Sequence, residues 1–181
     1  MKLSEPHLNP NIRIISLGAG VQSTVMALMA AKGELTPMPD CAIFADTGYE
    51  PEGVYKHLDW LEKQLPFPTY RVMQGNIKQD IEKGINTNGT RFVAMPFFTK
   101  QGGMGMRQCT NDYKIVPLKK KTRELLGLGY RERAKNQVSE TWLGISWDEM
   151  QRMKESRDKY IYHRFPLIEK QMRRHNNSLV F

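Results

Sequence analysis

Residues 12–24 read Ile12-Arg13-Ile14-Ile15-Ser16-Leu17-Gly18-Ala19-Gly20-Val21-Gln22-Ser23-Thr24. The first six form a short apolar run rich in β-branched side chains that stops at a glycine pair, the pattern of a buried strand. From Ser23 the chain continues STVMALMAAKGEL. These are good helix formers, opened by hydroxyl residues suited to an amino-terminal cap and stopped by Gly33. The unit is strand, glycine loop, helix.

Working outward, the unit repeats. Residues 41–45, CAIFA, are a second short apolar run, broken by Asp46-Thr47-Gly48, and Pro51 opens the amphipathic stretch EGVYKHLDWLEKQL. Pro66 and Pro68 end that helix, and residues 69–73, TYRVM, read as a third strand. Strands alternating with helices build parallel sheets through right-handed crossovers. Residues 84–113 are rich in Gly, Asn and Thr without a stable period, so a long functional loop is expected there. A helix beginning near Pro117 is expected over 114–127 and a strand over 138–145, while 158–181 reads as irregular. The expectation is one α/β domain over residues 1–181, with a mainly parallel twisted sheet flanked by helices.

Composition narrows the class. With 181 residues the chain is long enough for one real core. A charged fraction of 25 % and no apolar run near the roughly 18 residues of a membrane span exclude a membrane-spanning protein. The amino terminus, MKLSEPHLNPNIRIIS, lacks the pattern of a secretion signal, so a cytoplasmic location is expected. Cys41 and Cys109 are single thiols with no C-x-x-C pair for zinc. The net charge of +8 attracts nucleic acid, a nucleotide or an acidic partner without choosing among them. Its cations cluster at Lys119, Lys120, Lys121 and Arg123, at Arg131, Arg133 and Lys135, and at Arg152, Lys154, Arg157, Arg173 and Arg174.

The glycine loop carries the chemistry. A helix start presents unpaired N–H groups and the positive end of the helix dipole, and glycines let a phosphate approach closely. The Walker pattern fails because Gln22 precedes Ser23 where it requires Lys, and the dinucleotide fingerprint fails because its third glycine is Ser23. Three later segments are distinctive: Phe44-Ala45-Asp46-Thr47-Gly48-Tyr49-Glu50, then Arg107-Gln108-Cys109-Thr110 with Lys114 and Pro117-Leu118, then Gly144-Ile145-Ser146 with Asp148, Glu149 and Arg152.

Together with Gly18-Ala19-Gly20-Val21-Gln22-Ser23, these segments resemble the PP-loop (Ser-Gly-Gly-x-Asp-Ser) and the following motifs of the phosphoadenosine phosphosulfate (PAPS) reductase branch of the adenine nucleotide α-hydrolase superfamily. The short members found in bacteriophages and prophages are the nearest. Gly18 stands for the first Ser of the loop, Gln22 for its Asp, and Ser146 where the third motif commonly has Arg. The resemblance implies a Rossmann-like fold and an adenine nucleotide such as ATP held by Ser16, Gly18, Ala19, Gly20, Gln22, Ser23, Thr24, Phe44, Asp46 and Gly144. It implies Asp46 as a ligand for Mg or a ribose hydroxyl, and Arg107, Lys114 and Arg152 as cations facing phosphate. The implied reaction is cleavage between the α and β phosphates with transfer of AMP to an unknown acceptor.

Other readings stand beside it: a PAPS reductase working with a cysteine from elsewhere, a nucleotide binder without turnover acting between phage and host, and a nucleic-acid modification component using the basic face. The chain ends RRHNNSLVF, without the terminal Glu-Cys-Gly of the reductases, and related chains look longer there, so a truncated end is compatible. Cys109 is balanced between a reactive thiol and a packed small residue. A homodimer is left open. Trp60 is expected in the core, Trp142 and Trp147 as packing beside Gly144, and the four histidines receive no role.

Overall fold

The computed structural model describes residues 6–85, 89, 110–129 and 131–174. Strand β1 (Ile12–Leu17) leads to helix α1 (Val21–Ala31), β2 (Cys41–Asp46) to α2 (Glu52–Glu62), and β3 (Thr69–Met73) to α3 (Ile77–Lys83). A π-helical turn (Asn111–Ile115) runs into α4 (Val116–Leu125), followed by β4 (Ser139–Leu143), a 3-10 turn (Trp147–Arg152), β5 (Ile161–Arg164) and α5 (Pro166–Glu169). All five strands are parallel, in the order β3-β2-β1-β4-β5. The chain steps outward from β1 to β3 and then crosses back to place β4 on the other side of β1. Neighbouring strands whose connections depart in opposite directions open a crevice at their carboxyl ends, where ligands of open α/β sheets bind.

Period-two alternation assigns the faces. Ile15, Leu17, Ala42 and Phe44 pack with Met26, Ala27 and Ala30 of α1, Leu58 and Leu61 of α2, and Leu167 of α5. Ile14, Cys41 and Ile43 face the other way, against Leu118 and Leu125 of α4. Burial pushes the Cys41 thiol up to about 12, with the Asp40 carboxylate adding to it, so this thiol stays protonated and unreactive.

At the amino ends of β1 and β4, Glu140 sits opposite Arg13 and is fully buried. It accepts the Trp142 indole N–H at 2.7 Å and the backbone N–H of His7. Arg13 and Arg164 lie 3.6 and 3.7 Å from the same carboxylate. Arg164 also donates to Glu169 at 2.8 and 3.0 Å and stacks 4.7 Å over the Trp142 ring. Trp142 is therefore packing, as expected.

Several expectations are corrected. Helix α1 begins at Val21 with Gly20 in the cap position, and Ser23 and Thr24 lie inside the first turn. The Ser23 hydroxyl accepts from the Gly18 N–H (3.2 Å) and donates to the Gly20 carbonyl (3.1 Å), so it shapes the loop instead of capping the helix. The helix expected near Pro117 has helical backbone from residue 110 onward, so residues 110–113 leave the expected loop. Pro117 lacks an N–H to give the carbonyl four residues back, and the ladder widens just before it, with the Val116 N–H reaching the Asn111 carbonyl. Helix α3 occupies a stretch to which the sequence assigned no element.

Residues 158–181 were expected to be irregular, yet β5 and α5 lie within them. Strand β5, Ile-Tyr-His-Arg, has a weak apolar pattern. It is held by the ladder to β4 and by the ion pairs of Arg164 with Glu140 of β4 and Glu169 of α5, contacts made between separate elements. Trp60 is 44 % exposed, because the buried positions of α2 are Leu58 and Leu61 and Trp60 falls off that stripe. Most of the expected loop, including Arg107 and Cys109, lies outside the described residues. Among those described, no helix is long and apolar enough to cross a membrane.

Candidate functional site

Among the described residues, the glycine loop, the segment after β2 and the segment after β4 lie at the carboxyl edge of the sheet. The segment between β1 and α1 lies there, and the segment after β4 closes on it from the neighbouring strand. Gly144 makes that closure: a Cβ placed on it would stand 2.9 Å from the Ser23 nitrogen and 3.1 Å from the Ser23 Cα. Only a residue without a side chain lets the two backbones meet this closely. Gly20 is the opposite case. Its φ of −94° suits any residue, and a Cβ there would meet nothing within 4 Å. The glycine at 20 answers no steric demand inside the described chain.

Between them Ala19 holds φ at +52°, the left-handed region, which costs an L-residue roughly 1 kcal/mol. Such local strain concentrates at functional loops. The first intrahelical bond of α1 runs from the Thr24 N–H to the Gly20 carbonyl at 3.0 Å. The N–H groups of Val21, Gln22 and Ser23 precede it and make no intrahelical bond. The first turn of α1 contains no acidic residue, and Gly20 offers no side-chain cap. The helix thus presents its partial positive charge to the crevice.

Two polar groups flank this start. In the first, the Gln22 amide donates to Glu149 Oε2 at 2.7 Å and to Ser146 Oγ at 3.3 Å. Arg152 reaches the other oxygen of Glu149 at 3.0 Å. Two of the three positions at which this chain departs from the resembled motifs, Gln22 and Ser146, therefore touch each other. Beside them the backbone N–H of Arg174 donates to Asp148 at 2.9 Å. That bond first, then the Ser146 hydroxyl, holds the Asp148 carboxyl below the usual carboxylate range.

In the second group, Asp46 Oδ1 accepts the Gly48 N–H at 2.7 Å and the Tyr55 hydroxyl at 2.8 Å. Burial first, and then donation to Asp46, pushes the Tyr55 phenol up. Glu50 accepts the Thr47 hydroxyl at 3.1 Å and pairs with Lys114 at 3.2 Å. The π-helical turn thus brings Lys114 to the segment that carries Asp46. The two groups are joined through α2, which contributes Tyr55 to Asp46 and His57 to Thr24, the latter at 3.0 Å between Nε2 and Oγ1.

The sequence-derived site residues divide accordingly. Gly18, Ala19, Gly20, Gln22, Ser23, Thr24 and Gly144 meet at one helix start, with Arg152 attached through Glu149. Lys114 pairs with Glu50, whose N–H reaches the Tyr55 hydroxyl that donates to Asp46. Ser16 lies within β1, in register with Ile43 and Leu143. Phe44 is 2 % exposed in the core, so its ring packs the sheet and offers no face to a base.

Glu149, Tyr55 and His57 were not among the expected site residues. Glu149 had a signal, its place beside Asp148 in the third motif; the other two had none that a local pattern carries. For Mg, the residues fit modestly: one oxygen of Asp46 takes both of its hydrogen bonds, leaving Oδ2 outside them, and magnesium is commonly held by one or two carboxylates plus substrate phosphates. Among the described residues no group of three or more His, Cys, Asp or Glu side chains could hold a metal ion.

The basic face is partly spent on the fold. Lys119 pairs with Asp158 at 2.5 Å, Lys121 with Glu124 at 2.6 Å, Lys120 donates to Gln74 at 2.6 Å, and Arg123 donates to the Gly129 and Glu132 carbonyls at 2.7 Å. No protein-family model and no curated protein matches the chain.

Proposed function

We propose that this chain binds an adenine nucleotide with its phosphates at the start of α1 and cleaves ATP between the α and β phosphates. One observation carries the reading: at the reversal of strand order, a helix start whose first N–H groups make no intrahelical bond is preceded by Gly20, a glycine that nothing among the described residues requires. Close approach of a phosphate supplies the requirement.

In this reaction an acceptor oxygen attacks the α-phosphorus and the bond to the bridging α,β oxygen breaks. Pyrophosphate leaves with that electron pair, and AMP remains on the acceptor. The N–H groups of Val21, Gln22 and Ser23 bind the phosphates, while Lys114 and Arg152 offset the charge that grows on their oxygens. Asp46 Oδ2 would hold a magnesium ion arriving with the nucleotide, which supplies further neutralisation of that charge. The acceptor then becomes open to attack by nitrogen or sulfur, with cytoplasmic nucleotide as the supply.

A second reading has its own support. Gln22 is neutral, and its amide is committed to Glu149 and Ser146, which favours a nucleotide binder that does not turn over. Incubation with magnesium and α-labelled ATP, dATP or PAPS, resolved by chromatography, separates the two. Labelled AMP or an adenylated product with pyrophosphate supports cleavage; calorimetric binding with unchanged nucleotide supports the binder. Sulfite release from PAPS with a thiol donor would instead mark a reductase, and no binding of any nucleotide would overturn the assignment of the site.

A further inference from the structure

Glu149 is the carboxylate that bonds directly to a side chain of the first turn of α1, a helix whose own first turn has no acid. It reaches the side chain of Gln22, the second residue of that helix, at 2.7 Å, and it binds Arg152 with its other oxygen at 3.0 Å. Arg152 is one of the two cations that the nucleotide reading gives to phosphate, and the Gln22 amide stands on the same first turn whose N–H groups that reading uses. The 3-10 turn that carries Glu149 is short, and its backbone departs from helical geometry at Glu149 itself, with φ −111° and ψ 18°. It is thus a local element, and its carboxylate is only partly buried, at 20 % exposure.

We propose that Glu149 is an internal anion that competes with phosphate: phosphate displaces its carboxylate from Gln22 and Arg152, and the released pair then binds the nucleotide. The inference rests on the nucleotide reading and concerns how that site is regulated. A carboxylate and a phosphate compete for the same donors and repel each other when they share them. The contact lowers affinity for weakly charged anions and makes Arg152 available only when a polyphosphate has entered. Glu149 is therefore a positioning residue that acts by leaving, and its removal tightens binding.

The test is a double-mutant cycle read by calorimetry with metal-free pyrophosphate and then with ATP, using the full chain, Glu149→Gln, Arg152→Gln and the double variant. Gln at 149 keeps the size of the side chain and a carbonyl acceptor for Gln22, and thermal melts establish that each variant is folded. Glu149→Gln is expected to bind roughly tenfold tighter, as charge effects at a helix start allow. Most of that gain disappears when Arg152 is also replaced, a non-additivity that a merely structural role does not produce. Unchanged or weaker binding by Glu149→Gln, with the parent protein still binding, overturns the inference and leaves the nucleotide reading intact. Absence of binding in all four proteins overturns both.

Discussion

At the amino ends of β1 and β4, Glu140 is fully buried and every charge near it has an internal partner: Arg13, Arg164, the Trp142 indole and, through Arg164, Glu169. At the carboxyl ends of the same two strands the chain leaves helix N–H groups without intrahelical acceptors, a strained Ala19 and an exposed Gly20 with open space where a side chain would be. Buried charge on its own is thus a poor guide to function. The amino end spends its charges on holding β5 and the segment before β1, whereas at the carboxyl end the side chains bond one another around helix N–H groups that have no intrahelical acceptor.

The largest expected effect breaks the closed end. Glu140→Ala leaves Arg164, which is 4 % exposed, without its central partner, and loss of one member of a buried ion pair costs about 3–5 kcal/mol. Urea denaturation should show that loss; a change below about 1 kcal/mol, the scale of exposed pairs, would mean that the cluster is solvated and the two ends are less different than described.

Next is Gly144→Ala, which drives a methyl group to 2.9 Å from the Ser23 nitrogen, a contact with backbone that cannot swing aside. Overpacking of this kind costs about 1–3 kcal/mol, and nucleotide binding should weaken with it because the start of α1 must shift. Full retention of both would show that the β4 segment yields freely.

A smaller effect concerns pH. The Cys41 thiol is raised from 9.0 to about 12, so its neutral form is favoured in the fold. Its contribution to stability is complete below pH 9 and falls away as pH rises from 9 toward 12. Cys41→Ser should flatten that alkaline limb in denaturation series. Iodoacetamide at pH 8 should leave Cys41 of the folded chain unlabelled, as peptide mapping can check; ready labelling would contradict its burial.

The two ends also differ in what the sequence reveals. β1, β2 and β3 were legible at Ile12–Leu17, Cys41–Asp46 and Thr69–Met73 because each is an apolar or β-branched run bounded by turn residues. The glycine loop was legible because its spacing is local. β5 was not, since Ile-Tyr-His-Arg is made a strand by pairing with β4 and by Arg164 meeting Glu140, contacts between separate elements that no local pattern carries. The same reason hid the site's wiring: Gln22 and Glu149 lie 127 positions apart, and Thr24 and His57 lie 33 apart. The start of α1 was misplaced because Ser23 and Thr24 are good capping residues, yet here the loop uses the Ser23 hydroxyl and α2 uses that of Thr24.

The central claim is that phosphate occupies the space beside Gly20, and Gly20→Asp tests it most directly. The backbone there, at φ −94° and ψ 172°, is the extended geometry of a helix cap, and nothing in the chain obstructs a new Cβ. Asp is among the best capping residues and suits the helix dipole, so the melting temperature should hold or rise, by up to about 1 kcal/mol in stability. Its carboxylate would occupy the phosphate position, so calorimetry should find ATP binding lost from a protein at least as stable as the parent. Undiminished ATP affinity in a folded Gly20→Asp protein would contradict the account.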